Sequence, residues 1–441
     1  CICGRTDCKE TGNGHGRITC TGVSSPELIT TKGEYFLMND AELSYNKNGN
    51  SWTAPAGVTL CLNGHTLRRG SNTAAAAIVV TGGNTFDLTD CQNNAGKVTS
   101  SYFSSEYNRD EARWGTGVSV AKNATFNMYG GTIFGNIGGG DKTPAGGVVV
   151  DGTFNMYGGA LTNNYRYTTS GTWASAVLVN AGGTFNLVDG LIARNASQDS
   201  EYGNASSTSA RNGGAVYVKG GAFNMSGGEI SKNAAGAYYA PSDGGGVYVT
   251  NSGVFNMSGG VITGNTVSRN GGGVYVANGT FTMSKQARVT GNTAYRSTND
   301  SNYRAFNGGG VYVGANGTFT MNDSASVDTN TAQCGLKDVL ASGGGVYVEN
   351  GGVFTMNDQA AVKDNTVPIQ YSSSFSDTVF GGGIYVNGTL NLNGGSVTGN
   401  TAYLRGGGIY VDTKATVTLG TGTVTVKDNT IHNGDFADNV Y

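Results

Sequence analysis

Gly308-Gly309-Gly310-Val311-Tyr312-Val313, then Gly317-Thr318-Phe319-Thr320-Met321, then Val327-Asp328-Thr329-Asn330: three short segments in this order recur down the chain. The opening glycine run returns at Gly244 to Val249, Gly271 to Val276, Gly343 to Val348, Gly381 to Val386 and Gly406 to Val411. Each segment alternates with period two, the pattern of a strand with one buried face. The valines of Val311-Tyr312-Val313 face one way and the tyrosine the other. Phe319 and Met321 point inward, Thr318 and Thr320 outward. Val327 points inward and Asn330 closes a corner. A unit this short cannot offset the conformational entropy of ordering itself, so the recurrence implies stacked coils that share one core.

Three strands joined by tight turns and repeated with one hand make an all-β, right-handed parallel β-helix of about eleven rungs. A phenylalanine column runs through Phe86, Phe126, Phe154, Phe185, Phe223, Phe255, Phe281, Phe319 and Phe354, continuing in Leu390 and Val417. The corner asparagines include Asn136, Asn164, Asn195, Asn233, Asn265, Asn292, Asn330, Asn365, Asn400 and Asn429. At a strand spacing of about 4.8 Å these predict aromatic and amide ladders along a rod of roughly 50 Å. The rungs differ in length at one corner only, between the asparagine and the next glycine run. That corner holds just 401–405 in one rung but 293–307, 196–212 and 366–380 in others. Residues 1–57 read as a cysteine-containing cap and 58–441 as the coil. Asp438-Asn439-Val440-Tyr441 looks like the opening of another first strand, so the coil is expected to continue or be capped beyond residue 441.

Composition narrows the function. Glycine is 74 of 441 residues, against a usual share of about 7%. There is no Gly-X-Y period and there are only 5 prolines, which excludes collagen. Charged residues are 13% and the net charge is -3, without a Lys/Arg cluster, so nucleic acid is not an expected partner. No apolar run reaches the ~20 residues of a membrane helix, so membrane insertion is not expected in this segment. The abrupt start at Cys1 reads as the mature form of a secreted protein.

The Gly-Gly-Gly-[Val/Ile] run followed by [Val/Ile]-x-x-Asn resembles the repeats of polymorphic outer-membrane autotransporter adhesins. It is closer still to the large β-helix surface proteins of Gram-positive gut bacteria. Cys1-x-Cys3-Gly4, His15, Gly33-Glu34-Tyr35-Phe36-Leu37, Trp52, Pro55 and Leu60-Cys61-Leu62-Asn63-Gly64 fit the latter. The resemblance covers roughly residues 58–441 and implies a secreted or cell-surface bacterial adhesin. Its chain order departs from the autotransporter pattern, since no membrane-barrel segment follows. Fold likeness of this kind leaves activity open.

The corner insertions are the main candidates for binding. They carry Tyr165, Arg166, Tyr167, Trp173, Tyr238, Tyr239, Tyr295, Tyr303, Arg304, Phe306 and Tyr371 among Ser, Asn, Thr and Gly. Rigid aromatics amid small polar residues suit contact with a host or microbial glycan or protein. The alternative is that these aromatics pin the loops to the rod. The tyrosine column from Tyr217 to Tyr410 poses the same choice between a stacked, loop-covered element and a binding surface. Outward Thr280/Thr282, Thr318/Thr320 and Thr416/Thr418 pairs form too irregular an array for ice binding, interrupted as they are by Ala222/Asn224 and Val254/Asn256.

A carbohydrate-active enzyme, either glycosidase or polysaccharide lyase, would need paired carboxylates. Asp323 and Asp358 occupy matching positions on adjacent rungs, with backbones about 5 Å apart, near the separation of a retaining glycosidase. Glycines at the same place on other rungs favour a turn instead. Absence of chemistry is therefore the better expectation, and a passive stalk is a third reading. Cys1, Cys3, Cys8, His15 and Cys20 fit either a structural zinc site or disulfides. Cys61 and Cys91 fall at near-matching places on early rungs, where a staple between them fits. No further cofactor is expected.

Overall fold

The computed structural model describes residues 20–44, 51–70, 75–100, 115–139, 144–166, 174–197, 213–236, 242–295, 305–333, 340–369, 379–432 and 436–441. The described residues are all-β, with a short 3-10 turn at Pro26–Leu28. Two compact units partition the chain. The first draws on Cys1–Thr168, Trp173–Ala196 and Gly221–Phe223, the second on Thr169–Thr172, Ser197–Gly220 and Asn224–Tyr441.

In the first unit the strands Thr85–Thr89, Thr125–Met128, Thr153–Met156 and Thr184–Leu187 pair in parallel, placing Phe86, Phe126, Phe154 and Phe185 in one column. Their rings stack at 5.8, 4.9 and 4.8 Å, and Phe223 continues the stack at 4.8 Å. Trp52 meets Phe86 edge-on at 5.4 Å. Val98, Ile133, Leu161 and Ile192 form the facing column from a second parallel sheet. The parallel pairing begins upstream of residue 58: Thr21–Val23 pairs with Gly33–Leu37, which pairs with Val58–Cys61.

The second unit repeats this register. Tyr217, Tyr248, Tyr275, Tyr312, Tyr347, Tyr385 and Tyr410 align strand by strand. Phe255, Phe281, Phe319, Phe354, Leu390 and Val417 do likewise, opposite Ile262, Val289, Val327, Val362, Val397 and Val426. Val311, Val313, Phe319, Met321 and Val327 are fully buried, as their alternation predicts.

Two details differ from the sequence expectation. In several rungs a tight turn joins the first two segments, with Gly183 N–H donating to the Asn180 carbonyl, Gly352 N–H to that of Glu349 and Ala415 N–H to that of Asp412, at 2.8–2.9 Å. In Val274–Met283 and Val311–Met321, however, they run on as a single strand, with a register irregularity between Val276 and Asn278. A further sheet comes from the two residues after each corner asparagine. Thr266–Val267, Thr293–Ala294, Thr331–Ala332, Thr366–Val367 and Thr401–Ala402 pair in parallel there. These residues read as loop in the sequence because a two-residue strand is too short to show alternation.

The corner itself explains the glycine triplet. Gly308 has φ 64, a left-handed conformation that only glycine adopts without cost. A Cβ on Gly309 would lie 2.4 Å from the Thr331 backbone, and one on Gly310 would lie 2.8 Å from Asn330 Nδ2. One glycine makes the turn and two allow the corner strand to press against it.

The corner asparagines are 0–1% exposed and form hydrogen-bonded ladders within each unit. In the second unit Asn330 donates from both its backbone N and its Nδ2 to Asn365 Oδ1, at 2.9 and 3.0 Å. Its Nδ2 also donates to the Val289 carbonyl at 2.9 Å. The same pattern recurs from Asn365 to Asn400 and from Asn400 to Asn429. At the end of the chain Phe436–Ala437 returns antiparallel to Thr430–Ile431. Asn439 Oδ1 then accepts from Asn429 N and Nδ2, and Tyr441 stacks on Tyr410 at 5.5 Å. Val440 bridges Ile409 in parallel, the register of a first strand.

Candidate functional site

The bases of the corner insertions form a sheet of their own in the second unit. Ala305–Asn307, Leu340–Ser342 and Val379–Phe380 pair in parallel immediately before three successive glycine runs. A second hydrophobic core lies beneath them. Phe306, Ala341 and Val379 pack against Ala235, Val267, Ala294, Ala332 and Val367, with Ile369, Tyr403 and Leu404 at the margin. The sequence carries this signal twice, as an apolar residue two places before the glycine runs at Gly308, Gly343, Gly381 and Gly406 and as the recurring Asn-Thr-[Ala/Val].

This arrangement corrects two candidate binding residues. Phe306 is 1% exposed and belongs to the second core, so it anchors its insertion and offers no surface to a ligand. Arg166 is 2% exposed, in the Tyr165–Arg166 strand that pairs with Ile137–Gly138. Tyr165 and Tyr295 are half-buried, and Tyr295 N–H donates to the Val267 carbonyl at 2.9 Å. Tyr167, Trp173, Tyr238, Tyr239, Tyr303, Arg304 and Tyr371 lie outside the described residues.

The tyrosine column is a continuous stack, with centroid separations from 4.7 Å between Tyr275 and Tyr312 to 5.2 Å between Tyr385 and Tyr410. Every ring from Tyr248 to Tyr410 has its faces covered by its neighbours, so the column presents ring edges and hydroxyls outward. Sugar stacking needs an open ring face. Burial, then the nearby Glu349 and Asp412 carboxylates, push Tyr347 up to about 12. Tyr385 is raised by burial and by donating its hydroxyl to Asp412, a bond that in turn holds Asp412 below the usual carboxylate range. At the far end of the stack the buried Asp243 pairs with Arg269.

Asp323 and Asp358 do stand on adjacent rungs, but their carboxylates serve the backbone. Both residues are left-handed, with φ 54. Asp323 Oδ2 accepts from Lys285 N–H at 2.8 Å, and Asp358 Oδ2 accepts from Asp323 N–H at 2.9 Å. A groove of about 620 Å³ at Asp323 is lined by Ser226, Ser258, Lys285, Gln286 and Ser324 as well, a single carboxylate among hydroxyls, an amide and an amine. The geometry is that of a turn column, not of an acid and a nucleophile aimed at one bond.

Cys20 donates its thiol to Glu34 Oε2 at 3.6 Å and is raised by burial and by that carboxylate. Cys1, Cys3, Cys8 and His15 lie outside the described residues. Among the described residues no three His, Cys, Asp or Glu side chains converge to hold a metal ion. None of the described helices is long and apolar enough to cross a membrane. The chain matches no protein-family model, no curated protein and no solved structure.

Proposed function

We propose that this chain is a right-handed parallel β-helix of about eleven three-sided rungs, secreted or displayed on a bacterial surface. It binds a polymeric glycan or a protein by multi-point contact and performs no chemistry. The observation that carries this reading is the insertion-base sheet. Three consecutive insertions leave the second unit from adjacent, hydrogen-bonded strands over a dedicated core, so their roots are fixed in register along one edge. Rigid roots beneath variable Tyr/Ser/Asn-rich segments are the usual construction of a binding edge. Roots repeating at about 4.8 Å suit a partner that is itself extended, because several weak contacts then add. The surface location rests on the resemblance of the repeats to surface β-helices.

The test is a glycan and host-protein array probed with the parent protein and with Tyr303→Ala and Trp173→Ala variants. Retention by the parent, weakened at least tenfold in one variant, is the expected result. Unchanged binding in both variants sinks the loop assignment. A stalk reading is favoured by Phe306 and Arg166, whose burial shows that part of each insertion serves packing. No retention of the parent on either array would establish it over adhesion.

A further inference from the structure

Cys61 ends the strand Val58–Cys61, fully buried, while Cys91 lies exposed just past the strand Thr85–Thr89 that pairs with it. The register places Cys61 opposite Thr89. Beyond that point both strands bend together: Leu62 N–H donates to the Thr89 carbonyl at 2.9 Å, and Gly64 N–H to Asp90 Oδ1 at 2.7 Å. The bend brings Cys91 back towards its neighbour, and its thiol donates to Asn63 Oδ1 at 3.3 Å. The Cys61 sulfur itself lies within hydrogen-bonding reach of the Cys91 backbone N–H and thiol. Two sulfurs are thus held together across neighbouring turns of the first unit, one inside and one at the surface.

We propose that Cys61 and Cys91 form a redox staple that closes in a fixed order, with Cys91 reacting first and Cys61 resolving. A small-molecule disulfide such as oxidised glutathione supplies the oxidising equivalents. The Cys91 thiolate attacks one of its sulfurs, forming a mixed disulfide and releasing one glutathione thiolate. Cys61 then loses its proton and attacks the Cys91 sulfur. The mixed bond breaks, the second glutathione leaves, and the Cys61–Cys91 bond remains. Two protein thiols are oxidised and one disulfide is reduced to two thiols. The order follows from access, since only Cys91 is open to solvent. Burial, the largest cause that raises the Cys61 thiol, persists when Cys91 is capped, so resolution is the slow step and quickens with alkalinity. The closed loop restricts the unfolded chain and stabilises the turns it joins.

The experiment incubates the reduced protein with oxidised glutathione at several pH values and follows peptides containing Cys61 and Cys91 by mass spectrometry. Expected are a transient glutathione adduct on Cys91, its conversion to a Cys61–Cys91 crosslink that quickens as pH rises, and a rise in Tm of several degrees. Cys91→Ser should fold, since the position is exposed, and should show neither the adduct on Cys61 nor the rise in Tm. A stable adduct on Cys91 that never converts, or a crosslink that leaves Tm unchanged, would overturn the proposal. So would first modification at Cys61.

Discussion

Asn330 makes five hydrogen bonds with one short side chain and its own backbone N–H. Two of them, from Asn292 N and Nδ2 to its Oδ1, measure 2.9 and 3.0 Å. The others run to Asn365 Oδ1, twice, and to the Val289 carbonyl. Aspartate is nearly the same shape but donates nothing when ionised, and it would face Asn365 Oδ1 with a second acceptor. Asn330→Asp is expected to cost about 3 kcal/mol or more, read from urea unfolding, because it strands buried acceptors as well as a charge. The residue before it points the other way. Thr329 is β-branched and left-handed, with φ 57, where several other rungs place glycine. Thr329→Gly should therefore stabilise by about 1 kcal/mol, seen as a higher Tm. The asparagine column was legible because one residue type recurs at one corner. Its bonding was not, since spacing alone does not say that each amide reaches two backbones besides its neighbour.

Strands show how sequence reading succeeds and where it stops. The Phe281 strand announces itself by alternation, and its ring stacks at 4.6 and 4.8 Å on Phe255 and Phe319. Phe281→Asp should consequently unfold adjacent turns, with loss of protection from hydrogen exchange at Phe255 and Phe319 together with its own strand. The insertion-base sheet escaped notice because its strands span two or three residues, and because aromatic residues in a variable segment look like surface. Phe306→Ala tests the distinction. It should cost about 3 kcal/mol and raise exchange at Ala305–Asn307 and Leu340–Ser342, while the Phe281 strand stays protected. A ligand-facing phenylalanine would change none of these. Asp323 and Asp358 illustrate the opposite limit: their matching positions are visible in the sequence, but that their carboxylates hold the backbone N–H groups of the turn is not.

At the scale of the whole second unit, the tyrosine stack ties stability to pH. Burial raises Tyr347 to about 12 and lifts Tyr275, Tyr312 and Tyr385 as well, so the fold favours neutral phenols. The contribution is complete below about pH 10, where unfolded tyrosines begin to ionise, and falls as pH climbs through the folded values. Phenolate absorbance and unfolding should rise together above about pH 10, and Tyr347→Phe should make stability fall less steeply there. Repetition made the parallel coil legible, down to Asp438–Tyr441 as the opening of a first strand, but gave no sign of the antiparallel return at Phe436–Ala437 that leads into it. From Asn233 to Asn439 every amide-to-amide hydrogen bond runs the same way along the axis, from Nδ2 to the next Oδ1. Such an array has polarity, with each bond sharpening the next dipole. A turn inserted backwards would confront donor with donor, so the arrangement enforces direction on the chain independently of any apolar packing.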